Sequence, residues 1–418
     1  MKKFMKKLRL MSIMVVAMTI LSGCSQNNNA HIESQEVKSE VVNLTLWGGP
    51  NEQELLAEMV ESFKNKYADE AIFEITIVPE EEGTSRDKIL ADVNQAPDVF
   101  AFADDQLMEL AAAGVIEPIE QDMQIKEENV EGAIEAATIN GNLYAYPMTA
   151  DNGYFMFYNK KYLSENDVAT LDQMLSVASS LSKKVTMDWT SGWYLYSFFG
   201  NTGLKMGLNP DGLTNYCDWN NQSSEIKGVD IGNAMLAIAQ NPGFMNGRDD
   251  KLVAGAKDGS VIAGVSGVWV ANALQQAWGD DFAAVKLPTY TVGGKQVQLS
   301  SYAGYKMIGV NGYSQQKEWA MKLAQWLTNE ENQTLRFIKR GLGPSNVIAG
   351  AKEEVKKSPA IKALIEQAQY SSLQRVGPKY WDPVAEFAKS ISEGTASANN
   401  MQQLMDSMVK EITMKVTD

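Results

Sequence analysis

Residues 41–47 read Val-Val-Asn-Leu-Thr-Leu-Trp, and their apolar positions alternate as in a strand that buries one face. Pro50-Asn51 then opens a stretch in which Leu55, Leu56, Met59, Val60, Phe63 and Tyr67 recur at helical spacing. Strand-like runs return at 72–78 and 97–102. Helix-like intervals at 84–93 and 104–113 follow them, the second stopped by Gly114. Strand–helix–strand order predicts a mainly parallel sheet with helices on both faces. Ligands collect at the carboxyl ends of such strands. Trp47-Gly48-Gly49 and Phe102-Ala103-Asp104-Asp105 stand at two of those ends.

An Asn140-Gly141 turn signal precedes a strand from Tyr154 to Tyr158 that leaves this first series. A second alternating series follows, with helices expected at 171–181, 192–199, 230–239 and 269–278. Its strands are expected at 184–189, 261–265 and 283–287. Gly293-Gly294 marks a hairpin, 305–310 reads as another strand, and the tail is helical at 318–327, 331–339, 359–369, 383–392 and 401–412. Two separate runs of this length predict two domains rather than one core.

The N-terminus has a different pattern. Lys2, Lys3, Lys6, Lys7 and Arg9 precede an apolar stretch from Leu10 to Leu21, and Leu21-Ser22-Gly23-Cys24 follows. A basic start, an apolar run of roughly 7–15 residues and small residues at the cut describe a secretory signal over 1–23. The ending resembles the lipobox of bacterial lipoproteins, which implies lipidation of Cys24. Residues 24–40 are polar and without apolar periodicity, so they are expected to form a disordered tether. The protein is then expected on the outer face of the cell membrane, held there only by lipid.

Charge and composition narrow the chemistry. The leader holds five of the 37 basic residues and no acidic one, so the rest carries 32 basic against 52 acidic, a net −20. That balance disfavours nucleic acid and anionic lipid as partners. The single histidine, His31, lies in the tether, which leaves the body without His-dependent triads, zinc sites or proton shuttles. Cys217 reads as a small, partly buried residue. No nucleotide-binding glycine loop occurs, and neither a cofactor nor a metal is expected. Carboxylate chemistry, such as glycoside hydrolysis, stays open.

Several short segments together resemble a known family: Ala96-Pro97-Asp98-Val99-Phe100, Gly114-Val115-Ile116-Glu117-Pro118-Ile119, Asn140-Gly141-Asn142-Leu143-Tyr144-Ala145-Tyr146-Pro147 running on to Phe157-Tyr158-Asn159-Lys160, Ala303-Gly304-Tyr305, Gly343-Pro344-Ser345-Asn346 and Tyr380-Trp381. In order and spacing they are similar to the solute-binding lipoproteins of bacterial ABC importers, in the carbohydrate group that includes the maltose/maltodextrin-binding proteins. The resemblance implies an α/β, two-lobed periplasmic-binding-protein-like fold, with mixed sheets flanked by helices and a hinge of several crossovers. It places the N-terminal lobe at 41–149 plus 304–355 and the C-terminal lobe at 153–300 plus 358–418. It also implies a monomer that hands an oligosaccharide, such as a maltodextrin, to importer permease subunits and catalyses nothing.

Sugars present flat C–H faces and rims of hydroxyls, so their sites need aromatic plates and planar polar side chains. Trp319 and Trp326 share a helical stripe with Leu323 and read as core, as do Trp278 and Trp219. Trp381 precedes Asp382-Pro383, which reads as a helix N-cap and first residue. The position where a staple partner belongs is Glu386, not an apolar residue, so Trp381 is assigned to the cleft. By resemblance Trp269 is a stacking plate, and Trp193, with Tyr194 behind it, takes the place of a stacking tyrosine. The rival reading makes Trp193, Tyr194 and Phe198 a buried face. Phe102 replaces a stacking tryptophan of the maltose-binding pattern, which weakens the case for maltose itself. Asp105 matches a carboxylate that holds sugar hydroxyls, and Gln106 replaces its basic neighbour. Asp104 reads as a helix cap, and Glu80-Glu81-Glu82 as a solvated loop. Asp151, Asn152 and Tyr154 stand at the first crossing, where the family has an acidic ligand. Trp47 and Asn51 are further candidates at the first strand end. Two other functions fit the residues: binding of a cationic solute such as a polyamine, and an anchored glycosidase built on two carboxylates.

Overall fold

The structure is a computed structural model that describes residues 40–415. The signal, Cys24 and nearly all of the tether lie outside the described residues. Among the described residues no helix is long and apolar enough to cross a membrane.

Strands β1 (Glu40–Gly48), β2 (Ala71–Pro79) and β3 (Val99–Ala103) pair in parallel, with β1 between the other two. Alternation in β1 sets its face: Val42, Leu44 and Leu46 are buried while Val41 is exposed. The helix Gln53–Lys66 connects β1 to β2 and covers that face with Leu55, Leu56, Met59, Val60 and Phe63. After β4 (Tyr146–Thr149) the chain passes to a second sheet made of β5 (Phe155–Asn159), β6 (Lys184–Met187), β7 (Phe244–Asn246), β8 (Val261–Ser266) and β9 (Phe282–Val285). Its order is β7-β6-β8-β5-β9, with β5 antiparallel to both neighbours. β10 (Lys306–Val310) then returns to the first sheet and enters between β3 and β4, antiparallel to each, giving β2-β1-β3-β10-β4. Both sheets are mixed and flanked by helices, and the molecule is two-lobed. Each sheet has its own apolar core.

The passages between the lobes lie side by side. Asn152 N–H donates to Gly304 C=O at 3.2 Å, Ala150 N–H to Gly343 C=O at 2.9 Å, and Gln374 N–H to Ala303 C=O at 3.3 Å. Ser301–Ala303 also pairs in parallel with Ser371–Leu373. A Cβ at Gly304 would stand 2.6 Å from Asp104 Oδ1, so glycine there leaves room for the carboxylate that accepts the Tyr305 N–H.

Three local readings need correction. The last-but-one helix is Trp381–Ser392 and its cap is Tyr380, so Asp382 caps nothing and Pro383 sits inside the first turn. Proline is tolerated there because first-turn N–H groups have no intrahelical acceptor. Asp104 is not a cap either. Its carboxylate accepts the Tyr305 N–H and the Arg375 guanidinium, each at 2.9 Å. Glu80 and Glu82 are buried rather than solvated, because they are held by Lys88 and Lys306.

Candidate functional site

A cleft of about 1190 Å³ opens between the lobes. From the first lobe it is lined by the turn after β1 (Gly49 to Glu52), the acidic run after β2, Asp105 after β3, and Lys306 at the start of β10. From the second lobe come Asp188 after β6, Trp193 and Tyr194 at the start of the helix Gly192–Phe199, Trp269 after β8, and Trp381. Most of these positions follow a strand's carboxyl end, where sheet geometry leaves side chains free to converge.

Of the residues singled out from the sequence, the structure brings Asn51, Asp105, Asn152, Trp193, Tyr194, Trp269 and Trp381 to this cleft. Four others stand elsewhere. Phe102 is fully buried, its ring 5.6 Å from that of Phe100, because alternate residues of β3 share the core face. Trp47 is packed against the first lobe's core. Tyr154 has no exposed surface; its hydroxyl donates to the Trp193 C=O at 2.9 Å and its ring stands 4.6 Å from the Trp193 ring. It backs that tryptophan from below. Asp151 is buried in the hinge, where its Oδ2 accepts the Gly343 N–H.

The aromatic wall is held in place. Trp193 and Trp269 lie 5.9 Å apart with planes 35° from parallel. Asp249 accepts the Trp269 indole N–H at 2.7 Å and, through its other oxygen, the Ser266 hydroxyl at 2.7 Å. Trp381 stands with its ring 4.9 Å from the fully buried Tyr380.

Opposite the plates lies a charged floor. Lys306 pairs with Glu82 at 3.6 Å and its ammonium is 5.9 Å from the Trp269 ring centre, across the cleft. Burial works to lower its pKa, but Glu82, Asp151 and Glu52 outweigh burial and leave it above the usual lysine value. Burial first, then the neighbouring Asp104, pushes Asp105 up to about 7 against the opposing charge of Arg86. Burial likewise raises Asp151 to about 6, opposed by Lys306. Glu52 pairs through Oε2 with the buried Arg336 at 3.3 Å. Four side chains lining the cleft each keep one solvent-shielded polar atom without a hydrogen-bond partner: Glu52 Oε1, Asp105 Oδ1, Trp193 Nε1 and Arg340 Nε. An unsatisfied buried polar atom costs roughly 1–3 kcal/mol. Half of all such atoms among the described residues belong to side chains that line this one cleft. No cluster of His, Cys, Asp or Glu among the described residues is placed to hold a metal ion.

The family model for bacterial extracellular solute-binding proteins matches residues 58–363. The chain belongs to that family. Among relatives of this solute-binding protein, the galactooligosaccharide-binding protein of Bacillus subtilis (strain 168) is 22% identical over 412 residues, 94% of each chain. The maltotriose-binding protein of Pyrococcus abyssi is 25% identical over 370 residues, 83% of this chain and 76% of the relative. A structure solved with acarbose has a TM-score of 0.80 and 29% identity, covering 89% of this chain and 98% of the other. The maltodextrin-binding protein of L. casei BL23, solved without ligand, has a TM-score of 0.75 and 25% identity, covering 90% and 99%.

Sequence reasoning missed several cleft residues of this solute-binding protein. Glu82 was hidden in an acidic run, and the alternation of β2, which buries odd-numbered residues, would have turned Glu81 inward rather than Glu80 and Glu82. Lys306 and Asp249 carried no local signal, because their partners are far away in sequence. Glu52 follows directly from Asn51 at the first turn of a helix, where a carboxylate favours the helix dipole and so reads as routine.

Proposed function

We propose that the protein captures an oligosaccharide in this cleft and presents it, without chemical change, to an ABC importer. It would act as a monomer on the outer face of the membrane, held by a lipid on Cys24. The observation that carries this reading is the pairing of rigid indoles with unpartnered polar atoms in one cleft. Trp193, Trp269 and Trp381 offer plates to the C–H faces of sugar rings. Glu52, Asp105, Trp193 and Arg340 offer acceptors and donors together, and hydroxyls satisfy both kinds. Relatives named for galactooligosaccharide and maltotriose support an oligosaccharide over a single sugar.

In this reading residues 41–149 plus 304–355 form one lobe and 153–300 plus 358–418 the other, and they close on ligand about the passages held by Asn152, Gly304 and Gly343. Asp151 and Tyr154 act from beneath, Asp151 by setting the hinge and Tyr154 by supporting Trp193. Titration calorimetry with maltotriose, maltotetraose and a galactooligosaccharide tests the proposal. Saturable one-site binding to at least one, with the sugar recovered intact, is the expected outcome. Absence of binding to all three, or release of hydrolysis products, overturns it.

A further inference from the structure

The charge of the cleft exceeds what a neutral sugar requires. Nine of its lining residues are carboxylic and only four are basic. Two of the four basic side chains are already neutralised: Arg86 lies between Asp87 at 2.7 Å and Glu109 at 2.9 Å, and Lys306 is held by Glu82. A concave site with a surplus of one sign focuses its field on whatever enters. Acidic surplus alone would not define a ligand. Two carboxylates, however, keep an oxygen with no partner: Glu52, only 5% exposed, at Oε1, and Asp105 at Oδ1. The guanidinium near Asp105 is Arg86, which bonds Asp87 and Glu109, and Asp104 beside it is committed to Arg375 and the Tyr305 N–H. Asp105 thus presents a carboxylate without a dedicated counter-ion to a cleft walled by indoles.

We propose that this site selects oligosaccharides that carry a basic nitrogen, with Asp105 as the counter-ion of the protonated amine and the indole faces of Trp193 and Trp269 as its cationic surround. The inference rests on the oligosaccharide reading and specifies the class of sugar. An ammonium N–H donates to the Asp105 carboxylate, a charge-assisted bond that a hydroxyl does not equal. Aromatic faces nearby add cation–π attraction. The elevated proton affinity of Asp105 accords with a carboxylate that lacks such a partner when ligand-free.

The test compares acarbose, a pseudotetrasaccharide with one secondary amine, with maltotetraose, its neutral counterpart of equal length. Both are titrated calorimetrically into the wild-type protein and Asp105→Asn just above about pH 7, where the Asp105 carboxyl is ionised, at low and high ionic strength. Acarbose should bind at least about tenfold more tightly than maltotetraose at low salt, and added salt should erode this preference, because screening weakens an ion pair and not a neutral contact. In Asp105→Asn the ratio of the two affinities should fall to within about twofold, whatever their common level. Equal affinities in the wild type, or a preference indifferent to salt, overturns the amine assignment even if Asp105→Asn fails to fold. A preference that survives Asp105→Asn removes Asp105 from the role. If neither compound binds, and the neutral oligosaccharides above also fail, the oligosaccharide reading itself is at fault.

Discussion

The Asp249 carboxylate accepts the Trp269 indole N–H at 2.7 Å, so a residue at the start of one helix fixes the plane of an indole twenty positions later. Asp249→Ala should leave Trp269 free to rotate, at a loss of roughly 1–2 kcal/mol in oligosaccharide affinity for one charge-assisted bond. The melting temperature should change little. Calorimetric titration beside thermal melts checks this, and unchanged affinity would show that the indole keeps its plane by packing alone.

Trp269 and Trp381 line the cleft, whereas Trp219 is 1% exposed and stacks on Phe199 at 4.0 Å. Trp269→Ala and Trp381→Ala should weaken binding and keep a cooperative melt. Trp219→Ala should cost roughly 3–5 kcal/mol of stability as a core truncation, with little effect on affinity in the protein that remains folded. Early melting with normal binding in both cleft variants would place those tryptophans in a structural role.

These contrasts show what the sequence discloses about such a site. Trp269 follows a strand end, whereas Trp381 reaches the cleft although the cap reading that pointed to it failed, since Tyr380 and not Asp382 precedes that helix. Phe102 was placed by resemblance to a stacking tryptophan, but all of β3 is buried and packs Phe102 beside Phe100, away from the cleft. Glu82 and Lys306 make one ion pair across more than two hundred residues, and no local pattern encodes that. The two-lobed fold was legible in the alternation of elements, whereas the course of the charged cleft floor depended on tertiary pairing.

Asp105 and Asp151 hold their protons up to about pH 7 and about pH 6, against about 3.8 for a free aspartate. Between those values the native state binds more protons than the unfolded one, so stability falls as pH rises. The favourable contribution is complete below about 3.8 and is lost as pH climbs through 6 and 7. Each group contributes a slope of at most about 1.4 kcal/mol per pH unit. The double variant Asp105→Asn/Asp151→Asn should therefore gain stability relative to wild type as pH increases through this window. Thermal melts of the ligand-free proteins test it, and a difference that stays constant with pH would remove both groups from the effect.

Cys24→Ser should release the protein from membranes into the surrounding fluid while leaving oligosaccharide affinity unchanged. Membrane fractionation with immunoblotting reads the first part and titration the second. A variant that remains with the membrane would rule out the lipid anchor at that residue.

The place of β10 in the first sheet has a consequence for assembly. Residues 306–310 fill the gap between β3 and β4, so the earliest-made sheet stays divided until most of the chain has emerged. The second sheet needs only residues 155–285 and is complete sooner. Closing the first sheet requires contacts of long sequence separation, which form slowly. A chain threaded N-terminus first through a translocation pore thus exposes an open leading sheet until Val310 has emerged. The sheet begun first is the sheet closed last.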